Sequence, residues 1–310
     1  MTDPTLVFIF NHRFDKNIPK LESYYSDRFS RRFYLVPFAA RETDNVIKVY
    51  ANGTAFSGHI SQAYPVFRRT DSTHYVFVAD DLILNPVLDD KNLIRRLQLS
   101  PEEGYIKSIT PLQDVYYHWC NGPLGTRDVR KCAFNYESEL PSVKEAMDKF
   151  ENLGVPVRKL WPRTIRDWIG ASRKLRVAPL LLLEAAKCTG RLPPYPLLAG
   201  YADFVVVPSG ALDRFVHFCG VFGAMNLFAE IAIPTALALA CDKIQTELVP
   251  GEFFADSNAR RKPNVLQGVE LWSGAVGAFE QKLQRNFSAL LADFPVDKLY
   301  VHPIKLSRWH

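Results

Sequence analysis

Cysteine is scarce: the 310 residues hold five (Cys120, Cys132, Cys188, Cys219 and Cys241), an odd number with no C-x-x-C pair among them. That pattern argues against a disulfide framework or a zinc site and points to reduced thiols in a cytoplasmic protein. No basic leader with a following apolar stretch opens the chain. Its first apolar run, Leu6 to Phe10, is far short of the ~20 residues that cross a bilayer, so a soluble protein is expected. A block of single-sign charge is also missing. The formal net charge is only +5, and the basic residues are dispersed in groups such as "RRF", "IRRL", "DVRK" and "NARRKP", which speaks against a nucleic-acid partner. A phosphate-bearing small molecule, or peripheral contact with the anionic inner face of a membrane, suits that balance as well. Neither a P-loop nor a G-x-G-x-x-G fingerprint is present, which disfavours an ATPase or a dehydrogenase. No internal repeat and no low-complexity segment interrupts the chain.

What is present is a hydrophobic fraction of 47%, enough for a sizeable core, and a clear alternation over the first ninety residues. "TLVFIFNH", "RRFYLVPF", "NVIKVYA" and "HYVFVA" read as strands, while "IPKLESYYSDRF" and "SGHISQAYPVFRR" carry apolar residues at helical spacing. Strands alternating with helices predict an α/β fold with a mostly parallel sheet and helices packed on its faces. From about 110 to 195 the pattern loosens into a loop excursion. It includes helices near 141–153 and 176–189 and the connector "GRLPPYPLL". Beyond it, "GYADFVVVPSG" predicts a strand, with Ser209 as N-cap of the helix through "ALDRFVHFCGVFGAMN". "LFAEIAIPTALALACDKI" predicts a buried helix, "VGAFEQKLQRNFSALLADF" an amphipathic one, and "DKLYVHPIKLSRWH" a short strand with a polar tail.

Two features invite a chemical reading. The stretch "THYVFVADDLILNP" ends an apolar strand with adjacent carboxylates, Asp80 and Asp81, which repel each other and need either solvent or a cation. Ligands of open α/β sheets sit beyond the carboxyl ends of the strands. Asp80 and Asp81 fall at that edge, as do Asn11, His12 and Arg13 after the first strand. Glu230 is the other feature: from Phe218 to Thr235 it is the only charged residue. Burial there would raise its pKa and suit it to take a proton from a hydroxyl, whereas a structural glutamate would cap a helix or pair with an arginine.

The order of elements resembles the GT-A fold of nucleotide-sugar-dependent glycosyltransferases. The resemblance covers most of the chain and rests on "FIFNHRFDKN", "VFVADDLILNP", "GYADFVVVP", "AEIAIP" and "VHPIKLSRW". It implies one catalytic domain over 1–310: a nucleotide-sugar-binding half at 1–110, the excursion at 111–195, and an acceptor half with the tail at 196–310. It also implies a divalent cation, Mn²⁺ or Mg²⁺, held against the donor diphosphate. Here the family's aspartate-any-aspartate triplet reads Ala79-Asp80-Asp81. Asp81 becomes the direct metal ligand, Asp80 turns to the ribose or a metal-bound water, and His302 completes the cation site. Lys305 meets the diphosphate, and Asn11, His12 and Arg13 hold the base and ribose, with "ANGTAFSG" closing the other side. Glu230 is the base of an inverting transfer, with Asp203 as the alternative and an acceptor-binding role for it otherwise. Tyr116, Tyr117, His118 and Trp119 would stack on acceptor sugars. The expected reaction takes a sugar from a nucleotide sugar, UDP-linked first, to a glycan or lipid-linked acceptor. Two other readings stay open: a sugar-phosphate nucleotidyltransferase, against which "NHRFDKN" lacks glycine, and a catalytically silent sugar-binding scaffold subunit.

Overall fold

The computed structural model describes residues 3–116, 119, 121–126, 137–158, 195–272 and 274–310. The predicted 176–189 helix lies outside them, as do Tyr117, His118, Cys120, Cys132 and Cys188. Twelve strands are described. In chain order they are β1 (Thr5–Ile9), β2 (Arg32–Pro37), β3 (Val46–Val49), β4 (His74–Ala79), β5 (Ile83–Leu84) and β6 (Glu103–Ile106), then β7 (Ile109–Pro111), β8 (Leu198–Gly200), β9 (Phe204–Pro208), β10 (Lys243–Thr246), β11 (Gln267–Glu270) and β12 (Lys298–His302).

Seven of them form the main sheet in the order β10-β6-β9-β4-β1-β2-β3. The pairs β1/β2, β1/β4, β2/β3 and β10/β6 are parallel, and only β9 runs against its neighbours β4 and β6. The expected α/β fold with a mostly parallel sheet flanked by helices is therefore present. β1 reads as an unbroken apolar run because every residue of it is buried, as expected for a strand covered on both faces. Burying each Leu, Val or Phe of such a strand contributes roughly 1.5–3 kcal/mol before entropy is counted.

Helices cover the sheet where the apolar spacing called for them, at Ile18–Tyr25 and Ser57–Phe67. The second crosses the helix Ser209–Ala224 at a glycine pair: a Cβ on Gly223 would lie 2.8 Å from the Gly58 Cα. Val143–Asn152 begins at a full capping box, in which the Ser142 hydroxyl accepts from Glu145 N and the Glu145 carboxylate accepts from Ser142 N. Among the described residues no helix is long and apolar enough to cross a membrane.

Four local expectations differ. Ser209 is the first residue of its helix and makes no cap; its hydroxyl donates to the Ser72 carbonyl and ties the helix start to the turn just before β4. The apolar helix stops at Ala240, and Lys243 and Ile244 open β10, because Cys241 is already extended. The amphipathic segment breaks into Ala275–Lys282 and Phe287–Ala292, with Gln284 and Arg285 at positive φ between them. "GYADFVVVP" divides between β8 and β9.

The site is positioned by three junctions. Ile9 pairs with Ala79, which sets the ends of β1 and β4 side by side. Because β9 is antiparallel to β4, its start meets the end of β4, and Ala79 N donates to Asp203 O at 2.9 Å. A second sheet, β11-β12-β5, then carries the chain's last strand to the same edge through the pairs Val301–Ile83 and Glu270–His302.

Candidate functional site

At this edge lies a cavity of about 250 Å³, whose described walls include Asn11, Phe56, Asp80, Asp81, Asp203 and His302. Asp80 and Asp81 follow β4 directly. The backbone of Asp80 donates to Ile9 O at 3.1 Å and the carbonyl of Asp81 accepts from Ile304 N at 2.6 Å, so the pair is pinned from both sides. Their side chains part. The Asp80 side chain is hydrogen-bonded by Asn17, whereas Asp81 faces His302 Nε2 at 3.4 Å and is paired with the Lys305 ammonium. Burial raises both carboxyls; at Asp81 the cations His302 and Lys305 outweigh it and hold the group ionised, and at Asp80 the neighbouring Asp81 charge adds to it and drives the pKa up.

Behind His302 sits a buried relay. Its Nδ1 lies 2.9 Å from Glu270 Oε2 and 3.0 Å from the Tyr201 hydroxyl. Glu270 Oε1 in turn accepts from Tyr300 at 2.7 Å and from Lys107 Nζ at 3.0 Å. Burial disfavours the imidazolium, but hydrogen bonds to Asp81 and Glu270 prevail and lift the His302 pKa well above its usual value. Glu270 is likewise raised by burial and brought down further, to about 2, by His302 and Lys107. Glu270, Lys107, Tyr201 and Tyr300 escaped the sequence reading. Both Lys107, the lone charge in "GYIKSI", and Glu270, the only charged residue from Pro263 to Phe279, had the same signal as Glu230.

Comparison of the chain with protein-family models and with curated proteins gives no match. The site's chemistry must stand on its own geometry.

That geometry brings together Asn11, Asp80, Asp81, Asp203, His302 and Lys305, all in the cavity wall. His12 and Arg13 are not among the described walls: Arg13 Nε turns to Asp15 at 3.1 Å, and the His12 ring meets Phe14 edge-on. The "ANGTAFSG" loop packs against Asn11. A Cβ on Gly53 would come within 2.0 Å of the Asn11 carbonyl oxygen, so only glycine permits this approach, and Phe56 forms part of the wall. Glu230, in the first turn of the helix Ala229–Ala240, stands outside the described wall. It is near enough to feel Asp203, His302 and Glu270, and burial together with the Asp203 charge pushes its pKa to about 8, against a hydrogen bond from Asn121. Asp203 is raised to about 6, chiefly by burial. Tyr116 is buried, and Trp119 packs on Phe253 and Phe254 rather than standing alone in a loop.

Among the described residues no group of three or more His, Cys, Asp and Glu is arranged to hold a metal ion. Asp81 and His302 are two such donors. Asp81 Oδ1 and His302 Nε2 face each other, with His302 Nδ1 tied to Glu270, so a cation that takes one oxygen and one nitrogen ligand from the protein would be held by that pair.

Proposed function

We propose that this chain is a metal-dependent glycosyltransferase on a GT-A-like scaffold, moving a sugar from a nucleoside-diphosphate sugar to a hydroxyl of a glycan or lipid-linked acceptor with inversion. One observation carries the reading: carboxylates from the end of β4 and the start of β9 meet a histidine and a lysine from the end of β12 around one cavity at the carboxyl edge of a parallel sheet. Asp81 and His302 would hold a Mn²⁺ or Mg²⁺ ion, with Asp80 acting through water. When bound, such a cation neutralises the charge that grows on the departing diphosphate.

The chain's own residues account for the remaining roles. Lys305, half-exposed beside Asp81, offers a point charge to a phosphate oxygen. Asn11, with Gly53 packed on its carbonyl, places a polar group for the nucleoside. Geometry ranks the candidate bases differently from sequence isolation, since Asp203 lines the cavity and Glu230 does not. Reach comes before pKa in choosing a proton acceptor. Asp203, raised to about 6, is therefore the better-placed base, and Glu230 sets the electrostatics around it.

A panel of UDP-, GDP- and CMP-linked sugars, assayed for nucleotide release with Mn²⁺ and then with excess EDTA, tests this. Release from at least one donor, abolished by chelation, is expected. Asp81→Asn should weaken donor and Mn²⁺ binding together, by about tenfold or more, ~1.4 kcal/mol. No metal-dependent donor binding by titration calorimetry would leave a silent scaffold and end the proposal.

A further inference from the structure

Trp272 is 52% exposed, unlike the buried Trp309. It follows β11 by two residues, and its neighbour Leu271 donates to the His302 carbonyl at 2.7 Å, so it stands on the same junction as the cavity. One face of the indole is backed: the Phe254 ring lies 6.3 Å away at 23°. Phe254 is itself buried against Phe253 at 4.6 Å and Tyr201 at 5.8 Å, and Tyr201 bonds His302. A chain of ring contacts, edge-on beyond Phe254, thus runs from solvent to the site's histidine. Such backing restricts the indole, and a restricted flat ring loses little entropy when a ligand covers it.

We propose that Trp272 is a platform on which a pyranose ring of a neutral glycan stacks, presenting a hydroxyl to the carboxyls of the cavity. Its identity as the acceptor subsite rests on the glycosyltransferase reading. The chemistry favours a sugar. An electron-rich π-face takes the polarised C–H bonds of one pyranose face, while Asp203, in the cavity wall, accepts from a hydroxyl. As a carboxylate, Asp203 disfavours an anionic glycan, and the glycosyltransferase reading gives the nucleoside its own place at Asn11.

Saturation-transfer NMR with cellotetraose, chitotetraose and maltotetraose provides the test, with UDP plus Mn²⁺ binding measured alongside. At least one glycan should show saturation at its ring C–H protons. Trp272→Ala should weaken that glycan's binding at least tenfold, and Trp272→Phe should recover part of it, with the melting midpoint of both variants near that of wild type. Three results would overturn the platform: no saturation from any of the three glycans, equal binding by Trp272→Ala, or displacement of the glycan by UDP, which would make the ring a nucleobase shelf. Glycan binding that depends on Trp272 in a protein that binds no nucleotide would keep the platform and sink the transferase reading. Donor turnover with glycan binding indifferent to Trp272 would do the reverse.

Discussion

At neighbouring positions Asp80 and Asp81 are shifted in opposite directions, because one carboxyl is buried beside the other's charge and the other is held between two cations. Sequence alone supplied the pair and not the division of labour. Asp203 and Glu230 show the same effect across a longer span, both pushed upward by burial, to about 6 and about 8. Replacing Asp203 by Asn should cut transfer by about 10²- to 10⁴-fold while donor affinity holds, and should remove a rate limb near pH 6. Glu230→Gln should act differently. The folded chain keeps the Glu230 proton to about pH 8 while the unfolded chain releases it near 4.5, so wild type loses stability relative to the Gln variant as pH rises between those values. Denaturant titrations at pH 5 and pH 9 check this. A gap between the two proteins that fails to change in favour of the variant at pH 9 would contradict the buried, protonated state.

At the scale of elements, the crossing of the helices Ser57–Phe67 and Ser209–Ala224 depends on glycine unequally. A Cβ on Gly223 would strike the Gly58 backbone at 2.8 Å, whereas one on Gly58 meets Ala51 Cβ at 3.4 Å and Gly223 Cα at 3.8 Å. Gly223→Ala is expected to cost about 1–3 kcal/mol through forced separation. Gly58→Ala should be close to neutral, its better helix propensity offsetting a tight fit. Paired melting curves compare them. The elements that sequence made legible are those with a long period: β1 to β4 and the two helices between them. β5, β6, β10 and β11, two to four residues each, are too short to show alternation, and nothing local in "FVVVP" records that β9 runs backwards. That reversal is what carries Asp203 to Asp80. The resemblance already named Asp203, but its contact with the end of β4 was readable only from the fold, as was the Lys107–Glu270 pair, whose partners are far apart in the chain.

For the molecule as a whole, the site lies on the seam between an N-terminal half that gives Asn11, Asp80 and Asp81 and a C-terminal half that gives Asp203, His302 and Lys305. A ligand bridging the seam should stabilise both halves together. UDP at a hundred times its Kd would add about 2.7 kcal/mol to the folded state. A rise of a few degrees in Tm with UDP and Mn²⁺ together, absent in Asp81→Asn, is the expected thermal-shift result. No shift at high nucleotide concentration would mean that the folded chain does not bind it.

The chain leaves this core after β7 and returns at β8, and the two strands are paired directly through Ile109–Gly200, Thr110–Ala199 and Pro111–Leu198. Gly200 permits the closeness, since a Cβ there would lie 2.3 Å from the Ser108 carbonyl oxygen. Exit and entry thus share one clamp. Doubling the length of the span between them adds only about 0.6 kcal/mol of closure entropy. The described residues of that span still pack on the core, where Leu112, Tyr116 and Phe150 are buried, so the span is free to change in length but not at those anchors.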